Sequence, residues 1–182
     1  GHIDIIAPPE RGMRAIRPVI FLGDGTGTKW TAWQAAHWPY RMDYGTVVAG
    51  DFNADGKPDL AFGMHLRGAR VLLNNGDGKF IDASQGMTDP FPTRRVAAAD
   101  VDGDRDLDLL AIYEGPSPGQ SLKAAKVRAY INEGKAAKWR VVDATSEADS
   151  LGGDWFAVGN FNTDKFPDFV TSSNMFHGAD TV

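Results

Sequence analysis

Three nine-residue windows of the chain place oxygen-bearing side chains at the same four positions, namely 1, 3, 5 and 9. The windows read DFNADGKPD at 51–59, DVDGDRDLD at 100–108 and NFNTDKFPD at 160–168. Alternate positions of a tightly wound loop can point inward together, and a backbone carbonyl at position 7 can add another oxygen. With a bidentate Asp at position 9, the oxygen ligands would number about six, which suits Ca²⁺. The spacing therefore predicts calcium-binding loops.

The predicted ligands are side-chain oxygens, joined in each loop by the one backbone carbonyl. The first loop offers Asp51, Asn53, Asp55, the Lys57 carbonyl and Asp59; the second offers Asp100, Asp102, Asp104, the Asp106 carbonyl and Asp108; the third offers Asn160, Asn162, Asp164, the Phe166 carbonyl and Asp168. A fourth, partial site is expected at Asp4, because HIDIIA at 2–7 matches KPDLAF at 57–62. On that register, the position-9 carboxylates lie 55, 49 and 60 residues apart.

The charges of the three loops differ, and so should their affinities for a cation. Carboxylates held close together raise one another's pKa and destabilise the fold unless a cation neutralises them. The second loop carries five Asp, the first three and the third two, with Lys165 where the first loop has Gly56. We therefore expect two to three Ca²⁺ sites, with affinity falling from the second loop to the first and then to the third.

Two other structures can share this spacing of acidic residues. An EF-hand needs a Glu at position 12 and flanking helices, whereas position 12 here is Phe62, Ala111 and Thr171, followed by strand-like sequence. Asp-rich turns can also use their carboxylates simply to cap backbone N–H groups. This second alternative stays open, above all for the third loop.

The sequence on either side of each loop predicts short β-strands. Apolar runs precede and follow each acidic window, and Gly/Asn-rich turns at 23–27, 74–78 and 132–134 then join two more short runs, the second opening near Trp30, Phe80 or Trp139. Four short strands in every 50 or so residues, without helical periodicity, are typical of a β-propeller blade. We therefore predict an all-β chain of thirteen antiparallel strands, about 3.5 blades, in repeats at 1–44 (partial), 45–94, 95–152 and 153–182 (partial).

The blocks VAGDFNADGKPDL at 48–60 and VLLNNGDGKF at 71–80 resemble FG-GAP/VCBS repeats, which build the β-propeller of integrin α subunits and many secreted bacterial proteins. The resemblance implies calcium between the first two strands of a blade, with side-chain ligands at positions 1, 3, 5 and 9. The chain departs from the family at Arg105 and Lys165, where Gly is favoured, and at Asn160, where Asp is favoured. Because such propellers have about seven blades, we expect either a fragment of a longer protein or a half-ring completed by another chain.

The composition argues against several classes of function but does not identify a ligand. A net charge of −5 argues against nucleic acid, the absence of Cys excludes thiol chemistry, and no apolar run is long enough to span a membrane. The four His are scattered, and no Ser lies in a nucleophile elbow, so the sequence indicates no catalytic residues and an enzyme is disfavoured.

The functional prediction is a calcium-stabilised, secreted or cell-surface module for adhesion, recognition or scaffolding. Its partner would be a protein or a carbohydrate held by blade loops such as Glu114–Lys126, together with the rest of a propeller or a second copy. One alternative is a carbohydrate-active enzyme or lectin that uses Trp33, Trp38 and Tyr40 as a sugar-stacking platform. Another is a purely structural repeat in a surface assembly or filament.

Overall fold

The computed structural model describes residues 1–12, 17–65, 67–87, 91–113, 126–145 and 153–172. In these ranges the chain forms thirteen β-strands and no helix. The strands are β1 (Ile5–Ala7), β2 (Val19–Gly23), β3 (Trp30–Ala32), β4 (Gly45–Gly50), β5 (Asp59–Met64), β6 (Gly68–Asn74), β7 (Phe80–Asp82), β8 (Arg95–Ala99), β9 (Asp108–Tyr113), β10 (Lys126–Asn132), β11 (Trp139–Asp143), β12 (Phe156–Gly159) and β13 (Asp168–Thr171).

The strands form four separate antiparallel sheets, each made of strands consecutive in the chain. The sheets are blade 1 (β1–β3), blade 2 (β4–β7), blade 3 (β8–β11) and blade 4 (β12–β13), and the order within each follows the sequence. This confirms the predicted all-β architecture of propeller-like blades, with two full sheets between two smaller ones. No helix in the described part of the chain has the length and apolar character needed to cross a bilayer.

Each acidic loop is the connection between the first and second strands of a blade, and all three have the same register. The residue before the loop pairs with its position-9 carboxylate residue: Gly50 with Asp59, Ala99 with Asp108 and Gly159 with Asp168. The chain turns sharply at position 4, where Ala54, Gly103 and Thr163 have φ values of 57°, 84° and 69°. The repeated spacing of the sequence therefore corresponds to the same strand register and the same turn at position 4 in all three loops.

Three apolar clusters fill the spaces between neighbouring blades. The central strands β5 and β9 are buried along their whole length, and alternate side chains of each face opposite neighbours. In β9, Leu109 and Ala111 belong to the cluster shared with blade 2, whereas Leu110 and Ile112 pack with Phe156 and Phe169 of blade 4. Neighbouring blades therefore pack against each other through alternate apolar side chains of their inner strands.

Candidate metal centre

All three acidic loops share one network of hydrogen bonds from backbone N–H groups to side-chain oxygens. The position-3 side chain accepts from the N–H of position 5, and the position-5 carboxylate accepts from the N–H of position 7, in every loop. In the second loop these bonds run from Asp104 to Asp102 and from Asp106 to Asp104, at 3.3 and 2.8 Å. The side chains at positions 1, 3, 5 and 9 thus wrap onto the loop, so the N–H capping weighed from the sequence does occur.

The position-9 carboxylate anchors each loop to the blade. Its Oδ2 atom accepts from the N–H of position 2, which is Phe52 for Asp59, Val101 for Asp108 and Phe161 for Asp168, at 3.0, 2.7 and 2.8 Å. The first two of these carboxylates have no exposed surface, and their Oδ1 atoms accept from the N–H that ends the third strand. A carboxylate with two backbone donors is held firmly in one orientation.

Asp4 makes the corresponding third-strand bond in blade 1. Its Oδ1 accepts from the N–H of Gly23 at 2.9 Å, just as Asp59 accepts from Asn74 and Asp108 from Asn132, both at 2.8 Å. Gly23, Asn74 and Asn132 are each the last residue of the third strand of their blade, or its counterpart β2 in blade 1. The structure therefore places Asp4 at the position-9 site of its blade.

The second loop brings three carboxylates together. Asp100, Asp102 and Asp108 each direct an oxygen into a group whose atoms all lie within 4.8 Å of one another. Across the described ranges, no Lys or Arg forms an ion pair with any of them. Oxygen donors of this kind suit a hard divalent cation such as Ca²⁺ and do not suit a soft metal.

Burial, with smaller contributions from the charges of Asp102 and Asp104, raises the pKa of Asp108 to about 6 despite the lowering effect of its two backbone donors. The pKa of Asp59 is also raised, again mainly by burial. Because the folded pKa of Asp108 exceeds its unfolded value, ionisation of this group lowers stability as the pH rises from about 4 to 6. A bound cation would offset that cost at neutral pH.

The first loop contains a lysine side chain that pairs with one of its carboxylates. Lys57 Nζ lies 2.7 Å from Asp55 Oδ2, and hydrogen bonds from Lys57 lower the pKa of this exposed carboxyl. Asp51 accepts from the N–H groups of Asp55 and Gly56, at 3.0 and 2.8 Å. The first loop therefore matches the backbone of the second loop but is partly neutralised by its lysine.

The third loop differs in backbone as well as in charge. Gly56 and Arg105, at position 6 of the first two loops, adopt φ values of 82° and 79° and donate to the position-1 carboxylate. Lys165, at the same position, does not have a positive φ. Asn160 accepts from the Thr163 N–H, as Asp100 accepts from the Gly103 N–H, but its Nδ2 also donates to the carbonyl of Asp164, which a carboxylate cannot do. Arg105 therefore takes the backbone conformation that the family assigns to Gly, and Lys165 does not.

The structure also places residues that the sequence had left open or had not singled out. Trp38 stacks on Phe80 with ring centroids 4.6 Å apart and meets the edge of Phe62, and Trp33 and Tyr40 pack against the same cluster. These partly buried aromatics therefore contribute to the packing between blades 1 and 2, and their use as a sugar-stacking platform stays a prediction. Residues 114–125 of the predicted binding loop lie outside the described residues.

Asn74 and Asn132 were seen in the sequence only as turn residues, yet both connect a loop to the end of a third strand. The amide of Asn74 donates to the Pro58 carbonyl, and that of Asn132 to the Leu107 carbonyl, each at 3.2 Å. The sequence signal was their shared place at the end of an apolar run, directly before a glycine-containing turn.

Comparison with known proteins agrees with this geometry. The profile of a family described as FG-GAP-like repeat matches residues 1–62 and 63–111. Cartilage acidic protein 1 of Xenopus tropicalis is 33% identical over 111 residues, which cover 57% of this chain and 17% of that protein. The Mus musculus protein of the same name is 35% identical over 91 residues, covering 48% of this chain and 14% of its own length. The match therefore involves less than a fifth of either relative.

Proposed function

Because the chain belongs to the FG-GAP-like repeat family, we propose that it is a calcium-stabilised extracellular β-propeller module for protein or glycan recognition or scaffolding. Calcium has a structural role in this proposal. The observation that carries it is the cluster of Asp100, Asp102 and Asp108 oxygens within 4.8 Å, on a loop whose backbone holds them together. The first loop is the second-ranked site, and the third is the weakest.

The residues present fit a calcium ion by the chemistry of their donors. Asp100, Asp102, Asp104 and Asp108 would supply hard carboxylate oxygens, and the Asp106 carbonyl would complete the set. Their hydrogen bonds to backbone N–H groups use only some of the acceptor sites of each carboxylate, so capping and cation binding are compatible. The cation would supply charge neutralisation, while the loop supplies orientation.

An extracellular location is supported by the kinship with relatives named for cartilage and by the ligand chemistry. Extracellular calcium-binding modules commonly bind with Kd near 10⁻⁴ to 10⁻³ M, which suits loops of modest charge in millimolar calcium. Adhesion, recognition and scaffolding are proposed as the role of the loops that connect the blades, which is where propellers carry variable surfaces. Whether the partner is a protein or a glycan would be decided by parallel binding screens.

The proposal is tested by thermal unfolding of the purified chain in EDTA and in excess Ca²⁺, with Mg²⁺ as the control for general ionic effects. At a calcium concentration about 100-fold above Kd, each occupied site should add about 2.7 kcal/mol of stability. Calcium should raise Tm more than Mg²⁺ does, because Mg²⁺ requires a tighter octahedral site and dehydrates reluctantly. Metal-free protein whose Tm is the same with and without calcium would refute the structural role.

A further inference from the structure

One buried amide joins the first and second acidic loops across the boundary between two blades. Asn132 ends β10 of blade 3 and has no exposed surface. Its Nδ2 donates to the Phe52 carbonyl at 2.8 Å and to the Leu107 carbonyl at 3.2 Å. Phe52 is position 2 of the first loop and Leu107 is position 8 of the second loop, so the amide contacts both loops at once.

The bonds on either side of this amide lead to the two position-9 carboxylates. Phe52 donates its own N–H to Asp59 at 3.0 Å, and Asn132 donates its backbone N–H to Asp108 at 2.8 Å. Two buried carboxylates, one in each loop, are therefore connected through two residues, Phe52 and Asn132. A displacement of either residue changes the hydrogen-bond geometry at both carboxylates, because a continuous network of bonded residues can carry coupling between two sites.

The amide is held rigidly enough to transmit such a shift. Its Oδ1 accepts from the N–H of Gly134 at 3.2 Å and from that of Ala136 at 2.8 Å, so both ends of the amide are bonded. Phe52 is fully buried and lies edge-on to Trp139 of blade 3, with ring centroids 6.0 Å apart. The first loop therefore cannot move its position 2 without disturbing the neighbouring blade.

We infer that Asn132 couples the two loops, so that a divalent cation bound in the second loop increases the affinity of the first. This inference rests on the proposed function and concerns the regulation of the same sites. Asn132 acts as a positioning residue, because it contacts no proposed ligand oxygen with its side chain. Asn74 is the matched control, since its amide contacts the Pro58 carbonyl of its own blade.

The experiment follows the backbone amides of Gly56 and Gly103 by nuclear magnetic resonance while Ca²⁺ is added to the full chain, so that each loop reports separately. Asp102→Ala, which weakens the second loop, should lower the calcium affinity of the first by about fivefold or more. In the Asn132→Ser background, Asp102→Ala should change the calcium affinity of the first loop by less than about twofold. The serine hydroxyl can still accept from the Ala136 N–H, but it is too short to reach the Phe52 carbonyl. With Asn74→Ser the full effect should persist.

Reciprocity provides a second measurement that keeps Asn132 intact. Asn53→Ala in the first loop should lower the affinity of the second loop by the same factor, because linkage between two binding sites is mutual. This arm decides the coupling even if Asn132→Ser fails to fold. Two loops that bind calcium independently would overturn the inference and leave the proposed function standing, whereas loops that bind no calcium would overturn both.

Discussion

Lys57 Nζ lies 2.7 Å from Asp55 Oδ2, inside the first acidic loop and at the position where a cation would otherwise be attracted. The ammonium group would compete with a calcium ion for the same carboxylate. We predict that Lys57→Gln increases the calcium affinity of the first loop by about two- to fivefold, the range expected for loss of an exposed ion pair. The measurement is a calcium titration followed at the Gly56 amide.

The control for this prediction is Lys79→Gln. Lys79 Nζ forms an equivalent exposed pair with Asp77, 3.4 Å away, in a hairpin turn outside the three loops. Its removal changes the net charge by the same amount without freeing a proposed ligand. An equal gain in affinity from both variants would show a general effect of charge and contradict the competition.

Asp102→Ala should separate cation binding from fold stability. Asp102 is exposed, and its one bond within the loop is a 3.3 Å acceptance from the Asp104 N–H. We predict that the Tm of the Asp102→Ala variant in EDTA stays within about 2 °C of the wild-type value, as for an ordinary surface substitution. The rise in Tm on adding calcium should be clearly smaller than in the wild type.

Asp77→Ala is the matched variant for that experiment, because Asp77 is an exposed turn residue that accepts from the Lys79 N–H at 3.0 Å. Its calcium-induced rise should equal that of the wild type. A full rise in Asp102→Ala would remove this carboxylate from the ligand set.

Asp108→Ala and Asp168→Ala should differ even without metal. Asp108 is fully buried and accepts from the N–H groups of Val101 and Asn132, whereas Asp168 is partly exposed. Leaving buried N–H groups unpaired should lower the free energy of unfolding of Asp108→Ala by about 1–3 kcal/mol. The effect of Asp168→Ala should be smaller, and denaturant unfolding in EDTA is the measurement. Equal losses would place the two carboxylates in equivalent surroundings.

A charge cluster away from the loops predicts a dependence on pH. Asp143 accepts from Arg128 Nε at 2.7 Å and from Lys126 Nζ at 3.1 Å. Burial by itself would raise the pKa of Asp143, but the bonds from Arg128 and Lys126 outweigh burial and lower it. A carboxyl with a lowered folded pKa stabilises the protein fully above its unfolded pKa of about 4, and this contribution is lost as the pH falls through the folded value.

The corresponding measurement compares wild type and Asp143→Asn in metal-free buffer. The wild type should be more stable at pH 7, and the difference in Tm should shrink as the pH falls below about 4. The acidic-loop carboxylates are the same in both proteins, so their contribution to the pH dependence of Tm cancels in the comparison. A difference that is the same at pH 7 and pH 3 would mean that the charge of Asp143 does not contribute.

Much of the fold could be predicted from the sequence because its signals are local. Asp, Asn and Gly at fixed spacings define turns, and the apolar runs between them can only be short strands. The match of HIDIIA with KPDLAF aligns Asp4 with Asp59, and in the structure both accept from the last N–H of the strand that follows, at Gly23 and Asn74. A metal site at Asp4 stays a prediction. The runs of consecutive apolar residues in β5 and β9 indicated strands covered on both faces, and both strands are buried throughout.

The remaining features depend on how blades pack, and local spacing does not encode that. The 4.8 Å grouping of Asp100, Asp102 and Asp108 arises because Val101 and Asn132 hold Asp108 beneath its loop. The bond from Asn132 to Phe52 joins residues 80 positions apart and depends on the rotation between two sheets. Sequence alone does not specify the partner of Trp38 in the loop between blades, which the structure shows to be Phe80.

The two-sided burial of β9 restricts where this chain can change in length. A single inserted residue in that strand would send Leu110 and Ile112 toward blade 2 and Leu109 and Ala111 toward blade 4, exchanging the occupants of two tightly filled spaces. Insertions in the connections after the second or fourth strand would leave both spaces intact. The unequal repeat intervals of 55, 49 and 60 residues are therefore the variation that such an array tolerates, and drift in length should accumulate in those connections while the inner strands stay constant.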